Sequence, residues 1–394
     1  MKRIHIGYIV SGFQSEFFGG AERFVINLTN NLDNSLFDIS IFGLWQVENK
    51  QFHSQWLNLQ NNQKIVSVSR WNPSFPQVSF FCSLYTLFKY LSLYPVDILH
   101  SHSQFGDIVC SILKLAGKSP IIVRTKHDGF PIEWRRRPLR RIIFSEILYP
   151  IVYDAEIGVS KTVSQYLNKR FILRLLKKET HYIPNAIDLE KFTGKIDYMD
   201  KRSKLGIEPS SFLIATISRI SYEKRIETVI KSLSLLQEYI SNIHYLIVGD
   251  GDHIDYLRYL ANNLGVKNLC TFLGFRDDVE EIIKCIDVLI IPSMYEGLPT
   301  VALEGMASGI PIIASNVPSN NELIIDGYNG FLFQLDNVEH LTMKILKIYQ
   351  DESLIKNIIV NAQKTVMNYS IKKVANQHTI LYHKLVEQNR IIYQ

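Results

Sequence analysis

The sequence predicts two α/β domains, each built on a doubly wound parallel sheet, and three observations carry that prediction. The chain has 394 residues, more than one core usually serves, since cores stop growing near ~250–300 residues. Short β-branched runs alternate with longer amphipathic stretches, the rhythm of parallel strands joined by helical crossovers. That rhythm breaks once, from Pro184 through a polar stretch ending at Lys204, and then resumes. The expected domains are therefore 1–188 and 189–365, with 366–394 a C-terminal helix packing back on the first domain.

In the first half the predicted strands are 4–10, 37–44, 97–103, 120–128 and 155–160, with helical stretches between them. In the second half they are 212–218, 243–250, 269–275, 287–293, 310–315 and 330–333, and the chain reads as helical after about residue 335. Charges precede the apolar run at the N-terminus, but Gly7 and Gly12 interrupt it and no small-residue cleavage site follows. It reads as a strand, not a signal peptide. The apolar stretch from Val78 to Tyr94 is interrupted by Ser79, Ser83, Lys89 and Ser92 and stops at Pro95. It falls short of the ~20 apolar residues a bilayer requires, so no transmembrane helix is expected.

Hydrophobic residues make up 46% of the chain and charged residues 21%, which excludes disorder for its bulk. Cys82, Cys110, Cys270 and Cys285 form no C-x-x-C pair, so neither a zinc cluster nor a disulfide framework is expected, and a cytoplasmic location fits best. The net charge of +5 is uneven: residues 1–190 carry 22 Lys/Arg against 15 Asp/Glu. The excess falls in 121–180 and includes Arg135, Arg136, Arg137, Arg140 and Arg141. With Ile142, Ile143, Phe144, Ile147 and Leu148 these arginines form an amphipathic stretch, readable as a solvated face, part of an acceptor groove or a contact with anionic lipid through 134–148. No nucleic acid is expected as a partner.

In open parallel sheets the ligand crevice lies outside the carboxyl ends of the strands, so the loops after strands hold the candidates. In PSMYEGLPTVALEGMASGIPIIAS, Glu296 follows a strand and Glu304 lies about one turn inside a helix starting near Pro299. The N–H groups of Leu298, Pro299's successor Thr300, and Val301 suit phosphate through hydrogen bonds and the helix dipole. The two carboxylates can accept hydroxyl hydrogen bonds; they also read, more plainly, as a helix-stabilising acid and a solvent-facing one. Arg219 and Lys224 follow the first strand of the second half, where fixed positive charge suits a departing diphosphate or simply meets solvent. The glycines Gly19 and Gly20 open a helix after the first strand and permit close approach of a ligand, or make a turn.

Taken together, these segments resemble the blocks of retaining glycosyltransferase family 4, in order: IPNAID, ISRISYEKRIETVIKSL, YLIVGDGDHIDYLRYLANNLGV, FLGFRDDVEEII, the Glu296 to Glu304 segment and GYNGFLF. The resemblance implies the GT-B fold, two Rossmann-like doubly wound domains facing a central cleft. It implies a sugar moved from a nucleotide-diphosphate sugar, with a UDP-sugar the favoured donor, to a glycan or lipid-linked glycan acceptor in cell-surface polysaccharide or glycolipid biosynthesis. No metal and no other cofactor is implied, and retention by same-face attack asks for no protein nucleophile. Arg219 and Lys224 would stabilise the leaving group, Glu296 and Gly297 would hold the donor sugar, and Glu304 the ribose. Gly249, Gly274, Phe275 and Arg276 would line the nucleotide, and Gly19 and Gly20 would approach it from the first domain. Gly305 stands where Ala is common in the family.

His127, ending the fourth predicted strand, would contact the donor sugar or acceptor, or make an ordinary loop hydrogen bond. His100 and His102 share a strand face, and His102 is the acceptor-side candidate. The Asp250-Gly251-Asp252 stretch reads as a turn and helix N-cap, not as a metal site, and Ile254 takes the place of the third glycine of a dinucleotide fingerprint. Two rival functions remain at this point: a sugar-nucleotide epimerase of the same fold, and a non-catalytic glycosyltransferase-like subunit.

Overall fold

Parallel strands alternate with helices in both halves of the chain. The computed structural model describes residues 3–14, 19–47, 56, 59, 63–128, 139, 141–194 and 196–392. The chain divides into two compact units, Met1–Asn185 with Ile371–Gln394, and Ala186–Ser370. The first crossing thus falls slightly before the expected position and the return slightly after it. Where the chain leaves and rejoins the second unit, Ile187 N–H donates to the Tyr369 carbonyl at 3.1 Å.

The first unit is built on β1 (Ile4–Gly12), β2 (Phe37–Gln46), β3 (Gln63–Arg70), β4 (Ile98–Ser101), β5 (Ile121–Lys126), β6 (Ala155–Gly158) and β7 (His181–Tyr182). These form one parallel sheet in the order β3-β2-β1-β4-β5-β6-β7. Strands β3 and β7 were not expected. The first is a polar, largely exposed edge strand, QKIVSVSR, and the second is two residues long, so neither has the apolar run that marks the inner strands. Helices α1 (Gly20–Asn30), α2 (Pro76–Leu93) and α3 (Gln104–Leu115) make the first crossovers. Ser103 caps α3 by accepting from Gly106 N–H at 3.1 Å. The helix Ile371–Ile392 packs on α1 and β5 of this unit, and its Tyr382 hydroxyl meets that of Tyr8 at 2.9 Å. A buried charge group lies within the same unit: Glu156 is held by Arg170 at 2.5 Å and by Arg124 at 3.3 Å, and Arg124 also meets Asp107 at 3.3 Å.

The second unit carries β8 (Phe212–Ile217), β9 (Ile243–Val248), β10 (Cys270–Gly274), β11 (Val288–Ile291), β12 (Ile312–Ser315) and β13 (Phe331–Phe333). Their order is β10-β9-β8-β11-β12-β13. Ile214, Ile230, Tyr245, Ile290, Ile313 and Phe331 belong to its apolar core. Within that core Tyr245 OH donates to Thr216 Oγ1 at 2.9 Å and Thr216 Oγ1 to the Ile290 carbonyl at 3.0 Å, pinning β9, β8 and β11 together.

The loops leaving β8 and β9 are locked to one another through backbone. Ser218 N–H donates to the Val248 carbonyl at 3.0 Å, Ile220 N–H to Asp250 at 2.8 Å, and His253 N–H to Ile220 at 3.2 Å. This contact requires glycine at 249, where φ is +129° and a Cβ would lie 1.8 Å from the Ser218 carbonyl oxygen. The turn expected of this stretch falls at Asp252 and His253, Ile254 N–H donating to the Gly251 carbonyl at 3.4 Å, while Asp250 accepts from Gly251 N–H at 2.8 Å. The expected N-cap is not seen: the helix Ile254–Asn263 begins after His253 without a side-chain cap, because the chain is already committed to the β8 loop. A Gly249→Ala variant is expected to lose at least about 3 kcal/mol of stability in urea unfolding, since backbone cannot yield as a side chain does. A loss under about 1 kcal/mol would contradict this account of the loop.

Candidate functional site

Strand order in the second unit reverses between β8 and β11, so their two exit loops diverge at the carboxyl edge of the sheet, where open parallel sheets bind ligands. The β8 loop carries Arg219 and a short 3-10 turn, Tyr222–Lys224. The β11 loop carries Ser293 to Pro299. The structure brings Lys224 and Glu296 together across this point, Nζ to Oε1 at 2.6 Å, both largely buried. Ser293 Oγ donates to the same Glu296 oxygen at 2.7 Å, and Glu296 N–H donates to Ser319 Oγ at 3.2 Å. Met294 N–H donates to the Glu223 carbonyl at 2.8 Å, tying loop to loop. Behind them, Ser315 donates to the Ser293 carbonyl, and Asn320 holds Ser315 through its carbonyl at 2.9 Å and Oγ at 3.1 Å. Ser293, Ser315, Ser319, Asn320 and Glu223 escaped the sequence reading as site residues. Their signal was weak, because Ser and Asn near strand ends are ordinary turn residues.

Arg219 is far more exposed than Lys224 and reaches Glu223 Oε1 at 3.0 Å. Glu223's carboxyl sits below its usual range: burial raises it, and hydrogen bonds with the Arg219 charge outweigh that. Lys224 keeps two further N–H donors beyond the one given to Glu296. The helix Thr300–Ala307 starts at Pro299, which has no capping side chain, so the N–H groups of Thr300 and Val301 stand at an uncapped helix start. Gly297 and Leu298 are buried in the turn leading to it. Glu304 is buried in the same helix. Gly305 is a packing glycine: a Cβ there would meet Leu289 Cδ2 at 2.8 Å, so the helix lies close on β11.

Of the other predicted nucleotide-lining residues, Gly249 serves the loop contact described above. Gly274 takes φ +68° and accepts from Gly249 N–H at 2.8 Å. The half-exposed Phe275 follows it. Arg276 is held in a two-pronged pair by Asp278, at 2.8 and 2.7 Å, and Lys201 meets the same carboxylate at 2.6 Å. These contacts hold the Asp278 carboxyl well below its usual range, the Arg276 hydrogen bonds leading.

In the first unit the reversal lies between β1 and β4, and its exit loops hold Gly19, Gly20, His102 and, after β5, His127. Gly19 N–H donates to Glu22 Oε2 at 3.1 Å. Nothing among the described residues requires glycine at 19: φ is −143°, and a Cβ would meet Glu22 Oε2 at an ordinary 3.5 Å. Burial pushes the Glu22 carboxyl up to about 7.

His102 and His127 share a hydrogen bond, Nδ1 to Nε2 at 2.8 Å. The amide oxygen of Asn185 can only accept, so His127 Nδ1–H donates to it at 3.2 Å and His127 Nε2 accepts from His102. His102 Nε2 is left a buried acceptor without a partner among the described residues. His100, 4.2 Å away ring to ring, meets Tyr382 OH at 2.7 Å and Thr125 Oγ1 at 2.8 Å. His378, one turn before Tyr382, donates Nδ1–H to the Val374 carbonyl at 2.9 Å. The last helix thus brings His378 and Tyr382 to this cluster. Their i, i+4 spacing was the available signal that the two share a helix face, but nothing in it indicated which strands that face would meet. Arg135, Arg136, Arg137 and Arg140 lie outside the described residues. The following segment forms a wide, π-type helix, Arg141–Leu148, with Ile142, Ile143 and Ile147 exposed.

Comparison with known proteins fits this geometry. The model of the "Glycosyl transferases group 1" family matches residues 197–365, and that of "Glycosyltransferase Family 4" matches residues 18–191. A glycosyltransferase of Methanocaldococcus jannaschii is 30% identical over 294 residues, covering 73% of this chain and 75% of its own. The chain is a family 4 glycosyltransferase. A second relative, the Escherichia coli UDP-Gal:alpha-D-GlcNAc-diphosphoundecaprenol alpha-1,3-galactosyltransferase, is 28% identical, covering 77% of this chain and 79% of that enzyme. Among solved structures the Anabaena protein HepE, in complex with UDP and glucose, aligns with a TM-score of 0.80 at 19% identity over 97% of this chain and all of that one. Sucrose-phosphate synthase of Thermosynechococcus elongatus aligns at 0.83 and 20% identity, over 98% of this chain and all of that one. These likenesses establish the GT-B fold of this glycosyltransferase.

Burial drives the four histidines clustered here toward the neutral form: His127 and His378 to about 4, and His100 and His102 well below their usual range. An unfolded histidine titrates near ~6.5, so below that pH the unfolded chain binds more protons and stability falls with pH. Between pH 7 and 5 the native protein should lose about 1–2 kcal/mol relative to a His378→Leu variant. Urea unfolding of both at the two pH values measures this, and a pH-independent difference would contradict it.

Proposed function

We propose that this glycosyltransferase moves a sugar, with retention, from a nucleotide-diphosphate sugar to a glycan or lipid-linked glycan acceptor, and that it does so in cell-surface polysaccharide or glycolipid biosynthesis. The observation that carries the donor assignment is the Lys224 to Glu296 contact at the β8/β11 reversal, beside the uncapped start of Thr300–Ala307. A UDP-sugar is the favoured donor. Support comes from the E. coli relative, whose name specifies UDP-Gal and a diphosphoundecaprenol-linked acceptor, and from the Anabaena structures with UDP and with UDP-glucose.

In this reading the helix start receives the diphosphate, and Lys224 and the exposed Arg219 neutralise the charge that grows as the bond from the anomeric carbon to the phosphate oxygen breaks. Glu296, oriented by Lys224 and Ser293, accepts hydroxyl hydrogen bonds of the donor sugar, and Glu304 those of the ribose. Phe275 gives the base a ring to lie against, with the Arg276 backbone beside it. The acceptor hydroxyl attacks on the face the diphosphate leaves, and its proton passes to a departing phosphate oxygen. The first unit supplies the acceptor side: neutral His127 and His102 make hydroxyl contacts, and Gly19 and Gly20 keep the start of α1 open to close approach. Contact of the 134–148 segment with the anionic inner face of a membrane completes the reading.

A UDP-sugar should raise the melting temperature where GDP- and ADP-sugars do not, because a ligand bound only to the folded state stabilises it. A Lys224→Ala variant should keep its fold and lose transfer by about 10²–10³, and the product should keep the donor's anomeric configuration by NMR. Undiminished transfer, or an inverted product, would sink the assignment. Replacing Arg135, Arg136, Arg137, Arg140 and Arg141 by Ser should release the protein from anionic vesicles at low salt. Unchanged sedimentation would remove the arginine contact.

A further inference from the structure

Helix α2 is built inside out for a helix in water. Its inward face buries Ser79 and Ser83 along with Leu87 and Leu91, while Phe81 is 65% exposed, Tyr85 60% and Val78 57%, with Phe88 and Leu93 also exposed. Two of the three serines that interrupt its apolar sequence, Ser79 and Ser83, are turned inward. Ser83 Oγ donates to the Leu44 carbonyl at 3.0 Å and meets Ser69 Oγ at 2.6 Å, and Asn72 N–H donates to Ser79 Oγ at 2.9 Å. With those two serines inward, an apolar stripe is left on the outer face. Val78, Phe81, Tyr85 and Phe88 follow a helical spacing, so the exposed side chains form one stripe. Such a stripe on a folded surface marks an interaction face.

Charge selects the occupant. From Gln63 to Val96 the chain holds Lys64, Arg70 and Lys89 and no acidic residue. Lys89 Nζ lies 4.9 Å from the Tyr85 ring centre, and Lys118 Nζ lies 4.2 Å from that of Phe88. Aromatic rings edged by cations suit the boundary between anionic headgroups and acyl chains. Pairing α2 with α2 of a second copy would gather Lys89 and Lys118 of both copies at one seam with no carboxylate on the helix to answer them. No described helix is long and apolar enough to cross a membrane, and α2, about 27 Å long at 1.5 Å per residue, would lie along the interface.

We propose that α2 is a lipid-docking helix that seats its Val78, Phe81, Tyr85 and Phe88 stripe in the interface of an anionic bilayer. This deepens the membrane contact proposed for 134–148 by adding an apolar element on a separate helix, and salt separates the two. The arginine contact weakens at about 0.5 M NaCl, where screening is nearly complete within a few ångströms, while apolar insertion persists.

Cys82 lies exposed on α2, whereas Cys110 and Cys285 are buried and Cys270 is half-buried. In the full chain with Cys270→Ser, an environment-sensitive fluorophore on Cys82 should brighten and shift to the blue with phosphatidylglycerol/phosphatidylcholine vesicles, and should keep that signal at about 0.5 M NaCl. A Phe81→Ser, Tyr85→Ser, Phe88→Ser variant, checked for an unchanged melting temperature, should reduce vesicle binding in high salt at least about tenfold. A label insensitive to vesicles, or unchanged binding by the triple variant, would overturn the proposal. So would a lipid-free dimer that the triple variant dissociates, because the stripe would then belong to a second copy.

Discussion

The reversal of strand order is the constraint on which the candidate site depends. A parallel sheet sends every strand in the same direction, so all connections from the carboxyl edge begin side by side. Where the order reverses, neighbouring connections turn opposite ways and leave a crevice that the backbone cannot fill. In the second unit that place is β8 against β11. It explains why residues as far apart in sequence as Lys224 and Glu296 can meet at 2.6 Å. The polar pins beneath, Tyr245 to Thr216 to the Ile290 carbonyl, fix the strands whose ends carry them.

Around that crevice, rigidity and openness are divided between different residues. The β8 loop is rigid because three backbone hydrogen bonds join it to the β9 loop, a contact only glycine at 249 allows. Glu296 is fixed by Lys224, Ser293 and its own N–H to Ser319. By contrast, Arg219 extends from the locked loop with most of its side chain in solvent. A buried cation already in place and an exposed one able to swing suit a reaction in which negative charge grows at a departing group. The first unit is organised otherwise: its strand-end histidines, His102 and His127, are buried, neutral and linked to each other, so they carry no permanent charge.

Much of this was legible in the sequence, for physical reasons that can be named. Inner strands such as LIVG and VLII announce themselves because both faces are buried and every residue is apolar. The block order around Arg219, Lys224, Glu296 and Glu304 is readable because both residue type and spacing follow the family's blocks. Strand β3 was missed because one edge strand with solvent on its outer side reads like a loop. Gly249 has a structural role that the sequence did not reveal, since it lets the β9 loop lie against the Ser218 carbonyl. His378 and Tyr382 were invisible as partners of His100, since a contact spanning 282 residues leaves no local trace. The exposed stripe of α2 was not legible either, for sequence polarity says nothing about which side of a helix faces the protein.

The central claim is that the donor diphosphate lies at the β8/β11 reversal of the second unit. Amide hydrogen exchange with and without a UDP-sugar tests this most directly, because it maps where ligand protects backbone without altering any residue. The account predicts slowed exchange concentrated in 218–225 and 293–304, with Thr300 and Val301 among the protected amides. Protection that bypasses both segments while the ligand is bound would contradict it.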